Sequence, residues 1–248
     1  MLLRLARTED GAPEIFRSIQ GEGAFAGRTR TFVRLSGCNL HCRWCDTAYT
    51  WNWQGSPFVH QNPAKYDPAH EMIALPVAEA AQRIAALPCE GLVITGGEPL
   101  LQGEALAALI DTVKANDASR RIEIETNGSI APAAALAARV DHFAVSPKLA
   151  HSGNPAELAL KRAALSAFAA LESAAFKFVA QSEADLDAVA ALAAAHAIPA
   201  SRIYIMAEGV EPAALSARNA ALIGPILARG YNFTDRLHIH LFGQRRGV

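Results

Sequence analysis

The chain is short of several things at once, and each shortage removes a class of function. Excess charge of one sign is missing: 23 lysines and arginines meet 24 aspartates and glutamates, for a formal net charge of -1. Such a balance leaves no surplus of cations to neutralise phosphates, so neither nucleic acid nor an anionic membrane is the expected partner, and a small, nearly neutral ligand is. Long apolar runs are missing too. No stretch reads as a bilayer span, and the opening MLLRLARTEDG is too charged for a signal h-region, so a soluble, cytoplasmic protein is expected. Cysteine is scarce, with four among 248 residues, and in a reducing compartment so few thiols point to metal ligation or catalysis before disulfides.

Apolar residues are plentiful. At 51% hydrophobic and 19% charged, the chain can bury a sizeable core, and one domain spanning residues 1–248 is expected. Short β-branched runs alternate with Ala-rich helical stretches, the rhythm of strand–helix units. Six strands are predicted, over 31–35, 92–95, 122–125, 143–146, 176–179 and 203–206, with an extra C-terminal strand over 237–241. Helices are predicted over 76–87, 104–115, 155–171, 183–195 and 212–228, the last kinked or ended by Pro225. The fold class is therefore α/β, a partial TIM-type barrel of about six strand–helix units. One connection breaks the rhythm: residues 48–75 form a long loop rich in proline and aromatics, read either as a substrate lid or as a solvated insertion.

Three of the four cysteines crowd into GCNLHCRWCDT, directly after the first predicted strand. The C-x3-C-x2-C spacing of Cys38, Cys42 and Cys45 lets three thiolates converge on one small object. An iron–sulfur cubane that only carries electrons takes four thiolates, so three leave one iron open to another ligand. A closed zinc site would need a fourth protein ligand, and His41 and Cys89 are the residues available.

In barrels of strand–helix units, functional residues gather after the C-terminal strand ends. Here those ends carry Thr95-Gly-Gly-Glu-Pro99, Glu125-Thr-Asn-Gly128, Ser146-Pro147-Lys148 and Met206-Ala207-Glu208-Gly209. Gly96 and Gly97 allow close backbone approach, Glu98 adds an acceptor suited to an ammonium group, and Lys148 or Ser146 suits a carboxylate or hydroxyls. Each turn alone is also explained by ordinary turn chemistry.

CNLHCRWC followed by GGEP resembles the radical S-adenosylmethionine superfamily. The resemblance implies a [4Fe–4S] cluster on Cys38, Cys42 and Cys45, with S-adenosylmethionine chelating its open iron. It places Trp44, Asp46, Gly97, Glu98, Ser146, Pro147, Lys148 and the Met206, Ala207, Glu208, Gly209 turn at the S-adenosylmethionine site, with Glu125 and Asn127 as helpers. Ala207 stands where the resemblance leads one to expect proline.

EIFRSIQGEG (Glu14 to Gly23), TFVRLSGCNLHCRWCDT and the C-terminal RLHIHLFGQRRGV are similar to the 7-carboxy-7-deazaguanine synthase family across nearly the whole chain. That resemblance implies ring contraction of 6-carboxy-5,6,7,8-tetrahydropterin with loss of ammonia, on a route to queuosine and related 7-deazapurines. It also implies Mg²⁺ on Thr47, a homodimer, and a flavodoxin or ferredoxin as reductant. Gln20 and Glu22, with the backbone of Ile19 and Gly21, suit the donor-rich edge of a pterin, and Thr95 joins them as a substrate contact. Arg34 suits its carboxylate through paired hydrogen bonds.

Period-two alternation in TFVRL puts Phe32 and Arg34 on one face of the strand, where a lumenal arginine needs an anionic partner, either the substrate or an internal glutamate. By the same alternation Lys177 either reaches the lumen or snorkels. His238 and His240, on one face of the expected last strand, suggest substrate contact, and GQRRGV folds over the mouth or meets a second subunit. Two rival readings are a glycyl-radical enzyme activase, which shares the cluster but acts on a protein, and a non-enzymatic zinc-binding module.

Overall fold

Alternation in the β-branched runs sorts side chains between two environments. The computed structural model describes residues 1–248, with strands β1 (Leu2–Ala6), β2 (Ile15–Ile19), β3 (Thr29–Leu35), β4 (Met72–Pro76), β5 (Gly91–Gly96), β6 (Arg121–Thr126), β7 (His142–Val145), β8 (Ala174–Ala180), β9 (Ile203–Ala207) and β10 (Asn232–Phe233). They form one sheet in the order β10-β9-β8-β7-β6-β5-β3-β1-β4, with β2 also on β3. From β3 through β5 to β10 every pairing is parallel, and β1, β2 and β4 are antiparallel additions. The sheet stays open, with β4 and β10 as its edges, so the partial barrel is the architecture.

One face of the parallel strands is apolar throughout. Val33, Leu35, Leu92, Ile94, Ile122, Ile124, Phe143, Val145, Phe176 and Phe178 belong to a single buried core. The opposite face lines a cavity and presents Phe32, Arg34, Thr95, Glu125, Ala144, Lys177 and Val179. The expected alternation in β3 and β8 is thus observed, and Lys177 points into the lumen. Parallel register sets Arg34 beside Thr95.

Nine helices cover the sheet: α1 (Pro68–Glu71), α2 (Val77–Ala85), α3 (Gly103–Asn116), α4 (Ala134–Ala137), α5 (Ala156–Ala159), α6 (Arg162–Ala169), α7 (Glu183–His196), α8 (Pro212–Ala228) and α9 (Leu237–Phe242). A capping box starts α7, with Ser182 and Asp185 satisfying each other's backbone N–H groups. Pro225 neither ends nor breaks α8. Its missing N–H orphans the carbonyl of Ala221, an exposed residue that water can serve.

Three expectations need correction. The single helix over 155–171 is two, because Leu160 leaves helical backbone (φ -117°, ψ 51°) and lets α6 turn Leu165 and Phe168 into the core. The predicted strand over 237–241 is helix α9. Its alternating LHIHL reads as period two, yet only Ile239 is buried and the sheet has already ended at β10. On a helix residues two apart lie about 200° apart, so His238 and His240 do not share a face. Finally, the long loop over 48–75 contains α1 and the start of β4, which leaves residues 51–67 as irregular chain.

Candidate active site

The turns after the parallel strands open into one cavity of about 450 Å³, a volume suited to a small molecule. The cysteine loop forms one end of it. A Cβ on Gly97 would lie 2.1 Å from the Gly37 carbonyl oxygen, and one on Gly96 would lie 2.1 Å from the Leu35 oxygen. The glycine pair therefore lets the β5 turn press against the root of the cysteine loop, where Gly97 and Glu98 donate N–H groups to Leu35 and Gly37 at 3.0 and 2.9 Å. The close approach foreseen for these glycines is to the protein's own backbone.

Cys38, Cys42 and Cys45 all line the cavity. Burial pushes the Cys38 thiol up to about 12 and the Cys42 thiol up to about 11, and raises Cys45 as well; nearby cysteine and acidic side chains add to it. Three crowded thiols that resist ionisation become thiolates by exchanging their protons for a metal. Donors already face the sulfurs: Leu40 N–H to Cys38 (3.5 Å), Asn154 Nδ2 to Cys42 (3.2 Å) and Trp51 Nε1 to Cys45 (3.3 Å). This donor set fits an iron–sulfur cluster held by three cysteines beside an open cavity. It does not fit closed zinc. Cys89 bonds the Thr29 carbonyl, at the far end of β3 from Cys38, and the His41 ring is stacked on Phe58 with centroids 3.4 Å apart.

Around that end lie most of the residues expected to hold S-adenosylmethionine. Trp44, Asp46, Gly97, Asn127, Ser146, Lys148, Met206, Ala207 and Glu208 line the cavity. Lys148 donates to Ser146 at 2.8 Å and sits 5.8 Å from the Trp44 ring, while Trp44 Nε1 donates to His151 at 3.0 Å. Pro147 and Gly209 stand behind the wall. Glu98 also departs from expectation: it is fully buried off the cavity, and its carboxylate accepts from Leu100 N, Thr126 Oγ1 and Asn127 N at 2.7–3.0 Å. Burial raises its pKa despite those bonds. Glu98 fastens the β5 turn to the β6 turn and is not available to an ammonium group.

The other end is charged. Gln20 Nε2 and Thr95 Oγ1 both donate to Glu125, at 3.0 and 2.8 Å. Glu125 therefore stands with the expected substrate residues instead of with the cofactor. Glu22 pairs with Lys177, with Arg236 at 3.1 Å and with His238 at 3.8 Å. Burial alone would raise the Glu22 carboxyl, but the Lys177 and Arg236 cations, with His238 beside them, hold it well below the usual carboxylate range. Burial lowers His238. Gly21 exists for His238: a Cβ there would lie 2.2 Å from the imidazole Nδ1. Arg34 pairs with fully buried Glu14 through Nε at 2.9 Å, and Tyr49 donates to the same carboxylate at 2.9 Å, so Arg34 has the internal glutamate that was one of its two expected partners.

Several residues here were not singled out in the sequence. Arg236, 7% exposed, bonds Glu22, Asp46 and the Gly209 carbonyl, stitching three motifs together. Glu22, Asp46 and His238 place ligand atoms within 4.8 Å of one another, but Arg236 already supplies the positive charge among them. Thr47 lines the cavity with its hydroxyl 3.5 Å from Cys45 Sγ. The last residues, Gly243 to Val248, fold over and wall the cavity, as one reading of GQRRGV expected; Arg246 pairs with Glu71 at 2.6 Å and stacks 3.6 Å over the Tyr49 ring. The signal for Arg236 and Arg246 lay in the C-terminal RLHIHLFGQRRGV, and that for Glu14 in EIFRSIQGEG.

The 4Fe-4S single cluster domain family matches residues 19–145. A 7-carboxy-7-deazaguanine synthase of Pyrobaculum aerophilum is 32% identical over 94% of this chain and 95% of its own, and one from Hyperthermus butylicus is 36% identical over 91% and 90%. The crystal structure of QueE from Escherichia coli superposes with a TM-score of 0.67 at 25% identity, covering 95% of both chains. Streptococcus suis SuiB bound to S-adenosylmethionine shares the fold at a TM-score of 0.53 and 15% identity, over 80% of this chain and 48% of that one. With three cysteines at one end of the cavity, a charged pocket at the other and such relatives over more than nine-tenths of its length, the chain belongs to the 7-carboxy-7-deazaguanine synthase family.

Proposed function

We propose that this chain is the carbon–nitrogen lyase that converts 6-carboxy-5,6,7,8-tetrahydropterin to 7-carboxy-7-deazaguanine with release of ammonia. The observation that carries the reading is a single cavity holding three metal-ready cysteine sulfurs at one end and a buried charged pocket at the other. When bound, the [4Fe–4S] cluster and S-adenosylmethionine supply the electron and the hydrogen-abstracting radical. The protein binds, orients and shields.

Cys38, Cys42 and Cys45 would hold the cluster, and Asn127, Ser146, Lys148 and Glu208, which line the same end of the cavity, would hold S-adenosylmethionine. Gln20, Glu22 and Thr95, with the backbone of Ile19 and Gly21, face the pterin ring. Glu125 orients Gln20 and Thr95 by taking one hydrogen bond from each. Arg34 bonds Glu14 through Nε, which fixes its plane and leaves the Nη groups for the substrate carboxylate. Thr47, which lines the cavity, would hold Mg²⁺, since magnesium takes few protein ligands and a single hydroxyl suffices when substrate and water supply the rest. A homodimer and a flavodoxin- or ferredoxin-type reductant complete the proposal on the strength of the family resemblance. No helix is long and apolar enough to cross a membrane.

The test is anaerobic turnover of the carboxy-tetrahydropterin with S-adenosylmethionine, Mg²⁺ and dithionite, read by mass spectrometry. The deazaguanine acid and ammonia are expected. Cleavage of S-adenosylmethionine without that acid would overturn the substrate assignment, and omission of Mg²⁺ with full activity retained would remove the role of Thr47.

A further inference from the structure

The segment from Trp51 to Tyr66 has no part in the chemistry so far, yet it is built with care. Lys65 Nζ ties it from within, donating to Asn52 Oδ1 (2.7 Å), Ser56 Oγ (3.2 Å) and the Phe58 carbonyl (2.7 Å). It closes on the cysteine loop from outside: Phe58 stacks on His41 with ring planes 12° apart, and His60 Nε2 lies 2.8 Å from the Cys45 carbonyl oxygen. Beneath it Trp51 is 3% exposed, and its indole N–H, a donor only, has the Cys45 sulfur as its single partner, at 3.3 Å. A buried donor so placed is costly to leave unmade, so the sulfur is where the fold directs it.

On the far side Asn154 does the same for Cys42. Its Oδ1 accepts the His41 backbone N–H at 2.7 Å, which fixes the amide's orientation and turns Nδ2 to the Cys42 sulfur at 3.2 Å. Cys42 and Cys45 thus each receive a short neutral side-chain N–H from outside the cysteine loop, whereas Asn127 Nδ2 reaches Cys38 only at 3.9 Å and gives its shorter bond to Asn39.

We infer that Trp51 and Asn154 set the reduction potential of the cluster held by Cys38, Cys42 and Cys45. Reduction adds one electron to the cluster, and the extra negative charge spreads onto the thiolate sulfurs. N–H···S bonds stabilise that form more than the oxidised one and raise the potential, easing entry of the electron that starts the reaction. Trp51 and Asn154 are positioning and tuning groups, not catalytic residues.

The experiment is an EPR-monitored redox titration of the reconstituted enzyme, without substrate or S-adenosylmethionine, on wild type, Trp51→Phe, Asn154→Leu and the double variant. Each single variant is expected to shift the midpoint to more negative potential, and the double variant further, at unchanged iron and sulfide content. The sign separates tuning from shielding. If Trp51 served only as a plug, its loss would admit water, which favours the more charged reduced cluster and moves the potential upward. An unchanged or raised midpoint in Trp51→Phe overturns the inference. Should that variant lose iron, 3-benzothienylalanine at position 51, which keeps the ring shape and lacks the N–H, replaces it; loss of the cluster there too would make Trp51 structural and overturn the inference equally. This inference rests on the iron–sulfur reading of the cysteines, and iron content of the wild-type protein separates failure of that reading from failure of this one.

Discussion

At the cysteine end of the cavity the groups that hydrogen-bond the sulfurs are neutral: the amides of Asn154 and Asn127, the indole of Trp51, the hydroxyl of Thr47 and the backbone of Leu40. At the opposite end ion pairs dominate, through Glu22, Lys177, Arg236, Glu14 and Arg34, beside the Gln20–Glu125–Thr95 hydrogen bonds, and Arg236 ties this end to Asp46 next to Cys45. The difference follows from what each end receives. A cluster arrives with its own charge and needs a shaped, dry socket. A substrate with a carboxylate and a donor-rich ring must be chosen among similar molecules, and buried charges that would go unpaired with the wrong molecule do the choosing. The neutral end is therefore expected to fail by losing its metal, and the charged end by losing affinity or stability.

The largest effect tests the neutral end. Cys42→Ala is expected to reduce iron and sulfide to background and remove the visible absorption of the reconstituted protein, while far-UV circular dichroism stays unchanged. Its high thiol pKa of about 11, set first by burial, gives the loading a pH sense: metal must displace protons, so reconstitution at pH 8.5 is expected to outpace that at pH 6.5. Equal rates would show that the thiols ionise more easily than their burial implies.

Next comes the charged end. Arg236→Met leaves Glu22 with Lys177 and the weakly basic His238 and strips Asp46 of its cation, and breaking the buried Glu22–Arg236 pair costs about 3–5 kcal/mol. Thermal unfolding should fall accordingly, and iron content should change little in the protein that remains folded. A variant that loses its iron at unchanged stability would break the division between the two ends. Arg34→Lys is milder. It keeps a positive charge for Glu14 but loses the planar fork, so KM for the pterin is expected to rise roughly 10–100-fold, the equivalent of a charge-assisted hydrogen bond of about 1.5–3 kcal/mol. A fall in kcat at constant KM would contradict the assignment of Arg34 to ground-state binding.

These two ends were not equally visible in the sequence. Residues at the cysteine end announce themselves locally, because C-x3-C-x2-C and the glycine, proline and asparagine of the strand-end turns are punctuation that a linear reading detects. Six of the seven parallel strands were legible for the same reason, each being a β-branched run set off by Ala-rich helix; the two-residue β10 carries too short a run to show. Strands β1, β2 and β4 were not. They pair antiparallel, and no α-helix separates β1 from β2 or β2 from β3, so LLRLA and IFRSI carry no unit rhythm, while β4 hides at the end of a stretch that looked like loop. The charged end depends on meetings across the chain: Arg236 reaches Asp46 over 190 residues and Lys177 reaches Glu22 over 155. Side chains alone do not disclose such partners. Glu98 and Glu125 show the converse. Both sat in motifs, yet which carboxylate faced the cavity was decided by packing, with Glu98 consumed by Thr126 and Asn127 and Glu125 left between Gln20 and Thr95.

The C-terminal wall probes the rim of the charged end. Arg246→Ala removes the pair with Glu71 and the stacking over Tyr49, contacts at the edge of the cavity that contribute about 1 kcal/mol together. Roughly a fivefold rise in pterin KM is expected, with S-adenosylmethionine affinity unchanged. If both affinities fall together, the tail closes the whole cavity and not one end of it.

The smallest effect tests the floor beneath the charged end. There His142 packs edge-on to Phe25, ring centroids 4.8 Å apart, close to Arg121. Burial first, then the neighbouring Arg121, lowers its pKa from 6.5 to about 4. A base whose folded pKa is depressed binds fewer protons in the native state than in the unfolded one, so stability falls as pH drops from 6.5 toward 4. His142→Phe removes that proton site while keeping an aromatic ring against Phe25. Its melting temperature, measured anaerobically on loaded protein, is expected to match wild type near pH 7.5 and to exceed it increasingly from pH 6.5 to pH 5. Parallel melting curves across that range would show that the His142 ring is hydrated and that the floor of the charged end is open to water.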